Sequence, residues 1–161
     1  MSRIYTVILS GTLTTAGTDS DLLEANPADD KPIRLRGLKL SQISEVGDTM
    51  EEGLRISIIR LPATVTSGSG GSAPTPQPVD SAEAAAGFTS EVNNTTLATT
   101  SGTAVTLEEF GWNVRNTPME MWWPDPEFAP VARQGEALIV RSQTTPADDI
   151  SIQLTFYIEE L

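Results

Sequence analysis

The chain reads as all-β, an antiparallel β-sandwich of jelly-roll type with one long Pro/Gly/Ser-rich loop, and three features of its 161 residues predict this. Near the end, Ile150, Ile152, Leu154, Phe156 and Ile158 alternate without a break against Ser151, Gln153, Thr155, Tyr157 and Glu159, the period of a strand buried on one face. After residue 87 come short segments rich in Thr and Val, set apart by Asn93-Asn94, Ser101-Gly102, Gly111 and Asn116-Thr117-Pro118, with no helical period among them. Ahead of these, residues 62–87 hold the run Ser67-Gly68-Ser69-Gly70-Gly71-Ser72 and the alternation Pro74-Thr75-Pro76-Gln77-Pro78, which bury too little to offset their own ordering entropy.

In order, Arg3 to Leu9 is a strand with Ile4 and Ile8 on one face and Tyr5, Val7 and Leu9 on the other. Apolar residues on both faces suggest a central position or a subunit contact. Gly11 to Asn26 mixes Gly, Thr and Asp around the single pair Leu22-Leu23 and reads as a long surface connection, closed by the turn chemistry of Pro27 to Pro32. Ile33 to Leu40 is a strand whose apolar phase shifts after Gly37, as a bulge at glycine produces. The acidic stretch Ile43 to Gly53 has room for one helical turn, and Leu54 to Leu61 is a third strand with Leu54, Ile56 and Ile58 on one face.

Residues 62–87 are expected as an exposed excursion, mobile from Ser67 to Val79 until a neighbouring subunit or surface orders it. A linker between two domains is the alternative, but three strands before it are too few to close a core. Phe88 to Val92, Thr95 to Ala98, Thr103 to Phe110, Trp112 to Arg115 and Met119 to Trp123 are further short strands. Ala137 to Arg141 is another, joined through Pro146 and Asp148-Asp149 to Ile150–Glu160 as a terminal hairpin.

At 17.2 kDa the chain suits one domain, residues 1–161, long enough to bury a core. Its longest apolar runs are a few residues, and Met1 to Tyr5 leads straight into strand-like sequence, so neither a membrane span nor Sec export is expected. Cysteine and histidine are absent, which removes thiol nucleophiles, Ser-His and Cys-His pairs and the commonest zinc ligands. With 22 acidic residues against 10 basic, the net charge of -12 argues against nucleic acid as a partner. Lys31, Arg34, Arg36, Lys39, Arg55 and Arg60 are interleaved with apolar residues, either as a basic face for an acidic partner or as the outward row of half-buried strands. The adjacent acids Asp29-Asp30, Glu51-Glu52, Glu108-Glu109, Asp148-Asp149 and Glu159-Glu160 read as solvated surface, because neighbours on a strand point to opposite faces rather than across a cleft. Asp19-Ser20-Asp21 lacks the glycine and closing glutamate of a calcium loop. No catalytic, cofactor-binding or metal-binding residue is assigned.

The conspicuous constellation is Trp112 to Phe128, which carries all three tryptophans. Met119, Met121 and Trp123 share one strand face, and Glu120 and Trp122 the other. The first face is expected in the core. Trp122 is open to three readings: core filling from a second sheet, a subunit-interface anchor, or, beside Glu120, a stacking platform for a sugar. Pro124-Asp125-Pro126-Glu127-Phe128-Ala129-Pro130 is a stiff corner that ends the strand. Tyr5, Val7, Trp122, Glu120 and Phe128 are the candidate interface residues.

The order Asn93-Asn94-Thr95-Thr96, Gly102-Thr103-Ala104-Val105, Trp112-Asn113-Val114-Arg115, Trp122 to Pro130, Gly135-Glu136-Ala137-Leu138 and Phe156-Tyr157-Ile158-Glu159-Glu160 resembles small jelly-roll virion proteins of tailed bacteriophages, among them capsid decoration (cement) proteins. The likeness covers mainly residues 88–161 and lies in order and composition. It implies a homotrimer on the outer surface of the mature capsid, bound to the major capsid protein and bridging its subunits without enzymatic activity or cofactor. The alternative is a carbohydrate-binding or host-recognition module of a phage fibre or tail.

Overall fold

The computed structural model describes residues 3–15, 19–44 and 52–161. The helical turn expected within Ile43 to Gly53 falls mostly on residues outside these. Thirteen strands are formed among the described residues: β1 (Arg3–Leu13), β2 (Ser20–Asn26), β3 (Ile33–Gln42), β4 (Gly53–Leu61), β5 (Val65–Thr66), β6 (Gln77–Pro78), β7 (Thr89–Glu91), β8 (Thr99–Thr100), β9 (Val105–Asn113), β10 (Met119–Trp122), β11 (Val131–Ala132), β12 (Ala137–Ser142) and β13 (Ile150–Glu160). Eight of them make the roll. One sheet runs β10-β3-β13-β1 and the other β2-β12-β4-β9, every pairing antiparallel. Successive strands of this set lie in opposite sheets except β4 and β9, which pair with each other, and this alternation is jelly-roll topology. The core lies between the sheets, where Tyr5, Val7, Leu22, Leu38, Ile56, Trp112, Val140, Leu154 and Phe156 are buried together.

The bulge expected at Gly37 is there. Tyr157 pairs with Gly37 but Ile158 with Leu35, so Arg36 is the extra residue, and the buried set changes from Ile33 and Leu35 to Leu38 and Leu40. Residues 105–113 form one continuous strand through Gly111, where the sequence suggests two.

Two expectations fail for one physical reason. β12 does not hairpin with β13; it sits between β2 and β4 in the other sheet, and residues 143–149 cross between sheets. Ala137, Leu138, Ile139 and Val140 are all fully buried, with Leu138 and Val140 facing the inter-sheet core and Ala137 and Ile139 packing outward on Ile59, Leu61 and Ala98. Such a strand belongs in a sheet covered on both faces, whereas the alternating β13 belongs in one left open outside. Ser20–Asn26 is likewise a strand, not a surface connection, and its acids Asp21 and Glu24 are as buried as Leu22 and Leu23.

The cover is supplied by residues 62–104, inserted between β4 and β9. This segment is mostly solvent-exposed, but its backbone is fastened to its own chain instead of hanging free. β5 pairs with β8, Ser69 with Thr96 and Ser72 with Val92; β6 extends one sheet beside β1 and β7 extends the other beside β2. Buried carboxylates hold the strap where it crosses the roll. Asp21 accepts from the Ala98 amide at 2.8 Å and pairs with Arg141 at 2.5 and 3.2 Å; Glu24 accepts from the Gly68 amide at 3.0 Å; and Glu160 accepts from the Gly87 amide at 2.6 Å. Glu159 is buried against Arg34 and Arg36, so the Glu159-Glu160 dyad is structural rather than the solvated surface the sequence suggests. Burial pushes the Asp21 carboxyl above its ordinary range, opposed by Arg141 and the Ala98 amide.

Because Arg141 would be stranded beneath the strap, Asp21→Ala is expected to cost about 3–5 kcal/mol in chemical denaturation. Deleting Ser67 to Ser72 removes the Glu24 anchor and two ladder contacts, and the melting temperature is expected to fall as far as for a core truncation.

Candidate functional site

The strap covers the outside of one sheet only. The outer face of β10-β3-β13-β1 remains open, and on it the period of two places Glu120 and Trp122 from β10, Arg34, Arg36 and Lys39 from β3, Thr155 and Tyr157 from β13, and Ile4, Thr6 and Ile8 from β1. Ile8 is 58% exposed and Trp122 48%.

At the centre of this face Gly37 pairs with Trp122 on one side and Tyr157 on the other. The two rings close over it, centroids 4.8 Å apart and planes inclined by 41°. A methyl group on Gly37 would sit 2.3 Å from the indole Cε3, so the missing side chain is what lets Trp122 lie flat on the sheet. The indole is also tied at its rim, because Trp122 Nε1 donates to Glu120 Oε2 at 3.3 Å while Lys39 Nζ holds Glu120 Oε1 at 3.1 Å. The lysine, with help from the indole N–H, holds the Glu120 carboxyl below the usual range. Beside this pair Ile4, Arg36, Trp122, Trp123, Pro124 and Tyr157 line an open, almost wholly apolar groove of about 340 Å³. Its volume is at the small end of ligand sites, roughly 300–1,000 Å³.

Next to the groove rises the corner 124–130. Arg36 Nη2 donates to the Pro124 carbonyl at 3.2 Å and the Leu35 amide to the Pro130 carbonyl at 2.9 Å, so both ends are fixed to β3. Between them Phe128 stands 77% exposed, with Asp125 and Glu127 exposed beside it.

Of the five candidate interface residues, Trp122, Glu120 and Phe128 are exposed, the first two on the open face and Phe128 on the adjoining corner, beside Arg60, Leu107 and Glu108 of the other sheet. Tyr5 and Val7 are not available. Both are fully buried in the subunit's own core, Tyr5 edge-on to Phe88 at 5.6 Å with its hydroxyl donating to the Ala84 carbonyl at 3.0 Å. The apolar residues that β1 turns outward are Ile4 and Ile8, because Tyr5, Val7 and Leu9 face the core between the sheets. Trp123 is half-buried against the core, as its phase with Met119 and Met121 implies, but the fully buried tryptophan is Trp112, whose Nε1 donates to the Asn116 carbonyl at 3.1 Å. Gly37, Arg36 and Tyr157 enter the site only through strand register. The sequence marks them only separately, Gly37 as a bulge, Arg36 as one of a basic row and Tyr157 by its outward phase on β13.

Trp112→Ala is expected to cost about 3–5 kcal/mol of stability and Trp122→Ala about 0.5–1.5 kcal/mol, the value of one surface ring pair. Gly37→Ala is expected to displace the Trp122 indole, read as a red shift in tryptophan emission that is absent when the substitution is made on a Trp122→Phe background.

No family model matches this chain. No curated protein matches it either. Two solved structures of infectious bursal disease virus align with 99% of the chain: the Gx strain, at 14% identity with a TM-score of 0.21, and the T13 viral particle, at 11% and 0.20. The chain spans 42% and 39% of the lengths of those two chains. Overlaps this slight assign neither a shared fold nor a shared role.

Proposed function

We propose that the protein is a non-enzymatic virion component, a decoration protein that assembles as a homotrimer on the outer surface of a mature phage capsid. Its partner is the major capsid protein, and its effect is mechanical. A protein that binds only the expanded lattice stabilises that lattice by mass action, making expansion harder to reverse. The observation that carries this reading is the one-sided covering of the sandwich. The strap shields the middle of one sheet, while the other presents Ile8 and Trp122 to solvent and the adjoining corner presents Phe128, the aromatic and aliphatic exposure typical of protein contacts. The resemblance in order and composition over residues 88–161 points the same way.

The test uses heads assembled without this protein. Purified protein is expected to bind expanded heads to saturation, to leave unexpanded precursor heads unbound, and to raise the temperature at which the expanded shell releases DNA. Equal binding to both shells, or none to either, would overturn the reading. A carbohydrate-binding module is the second reading, favoured by the fixed Trp122–Tyr157 pair beside Glu120. A glycan-array signal abolished by Trp122→Ala, with head binding absent, would select it.

A further inference from the structure

The open face carries a groove, and its border carries something shaped to fill one. Phe128 is the most exposed large apolar side chain described, and the backbone turn that carries it is pinned, because its amide donates to the Asp125 carbonyl at 3.2 Å and the Glu127 amide to Asp125 Oδ1 at 3.0 Å. Keeping such a ring in water is unfavourable unless something covers it, and the pinned turn means little backbone entropy is lost when it docks. The groove of Ile4, Trp122, Trp123, Pro124 and Tyr157 is equally preset, its indole fixed by Gly37, Tyr157 and Glu120.

The charges match as well. Asp125 and Glu127 flank the Phe128 knob, while Arg34, Arg36 and Lys39 stand along the groove's strand against two carboxylates, Glu159 and Glu120. In a chain of net charge -12 this is a locally cationic rim, and it faces a knob that is locally anionic. Knob and groove are different patches of one subunit. A contact between them either repeats head-to-tail, closing a ring or running on as a filament, or is reciprocated within a twofold pair.

We propose that Phe128 of one copy seats in the Trp122–Tyr157 groove of the next copy, with Asp125 and Glu127 meeting the Arg36 and Lys39 side of the rim. This gives residues to the self-assembly included in the proposed function and rests on that part of it, but it stands apart from attachment to a shell. The occupant is a second copy of this chain, and the groove is filled by an aromatic side chain rather than a sugar, because almost no polar surface lines it to satisfy hydroxyl groups.

Two exposed substitutions test it, Phe128→Asp on the knob and Trp122→Glu in the groove, each checked for an unchanged circular dichroism spectrum and a single cooperative melting transition. By sedimentation velocity the wild type is expected to form a closed oligomer and each variant to weaken self-association by about 30-fold or more, the effect of losing one hot spot. Mixed together, the variants are expected to form a one-to-one dimer, since one keeps a groove and the other a knob. A wild type that stays monomeric at every soluble concentration, variants that still assemble, or a mixture that stays monomeric would each overturn the proposal. Head binding separates the two readings. A monomeric wild type that still coats expanded heads removes the knob-and-groove contact and leaves decoration standing, whereas normal assembly with no head binding does the reverse.

Discussion

The rest of this structure depends on a backbone constraint: a glycine- and proline-rich segment laid over a sheet must find partners for its amides, and here buried carboxylates provide them. Asp21, Glu24 and Glu160 each take a strap amide, at Ala98, Gly68 and Gly87. Charge-assisted bonds of this kind are shorter and stronger than neutral ones, which suits a segment with few side chains to bury. Once the strap is down, Ala137 and Ile139 are covered from outside, β12 becomes a fully buried central strand, and the middle of that sheet is shielded while its edge strand β9 stays exposed. The openness of the opposite sheet is the complement of that arrangement.

Local alternation made the fold class legible. β13 is bounded by the residues whose alternation predicts it, Leu54, Ile56 and Ile58 face inward together, and the phase change at Gly37 is a real bulge. What alternation does not carry is the identity of a strand's neighbours. β12 and β13 are adjacent in sequence yet lie in different sheets, and the clue was in β12 itself, four consecutive apolar residues where a half-exposed hairpin strand would alternate. β2 was hidden for the converse reason. Its Asp and Glu mimic surface residues, because the amides and the guanidinium that neutralise their burial come from residues 68 to 141, far along the chain.

The site shows the same division. The opposite phases of Trp122 and Trp123 follow from counting along one strand, and the exposure of Phe128 from the prolines around it. Tyr5 and Val7 were legible as one apolar row of β1 but not as the inner one, since a strand with apolar residues on both faces does not say which face meets the core. The aromatic pair over Gly37 needs the register of three strands, β10, β3 and β13, and no single segment encodes it. Glycine between two aromatic neighbours is a cross-strand arrangement, invisible in one dimension.

The pairing of β1 with β13 also sets how the chain folds. Arg3 to Leu13 pair residue by residue with Glu160 to Ile150, so the longest ladder in the molecule joins segments separated by nearly the whole sequence. Contacts of such separation slow folding, since a large loop must close before they form. During synthesis β1 emerges well before its principal partner among the described strands, β13. The edge of β1 that β13 pairs therefore waits open while the intervening strands and the strap are made, and on a ribosome this is the interval in which β1 is most open to mispairing with another nascent copy.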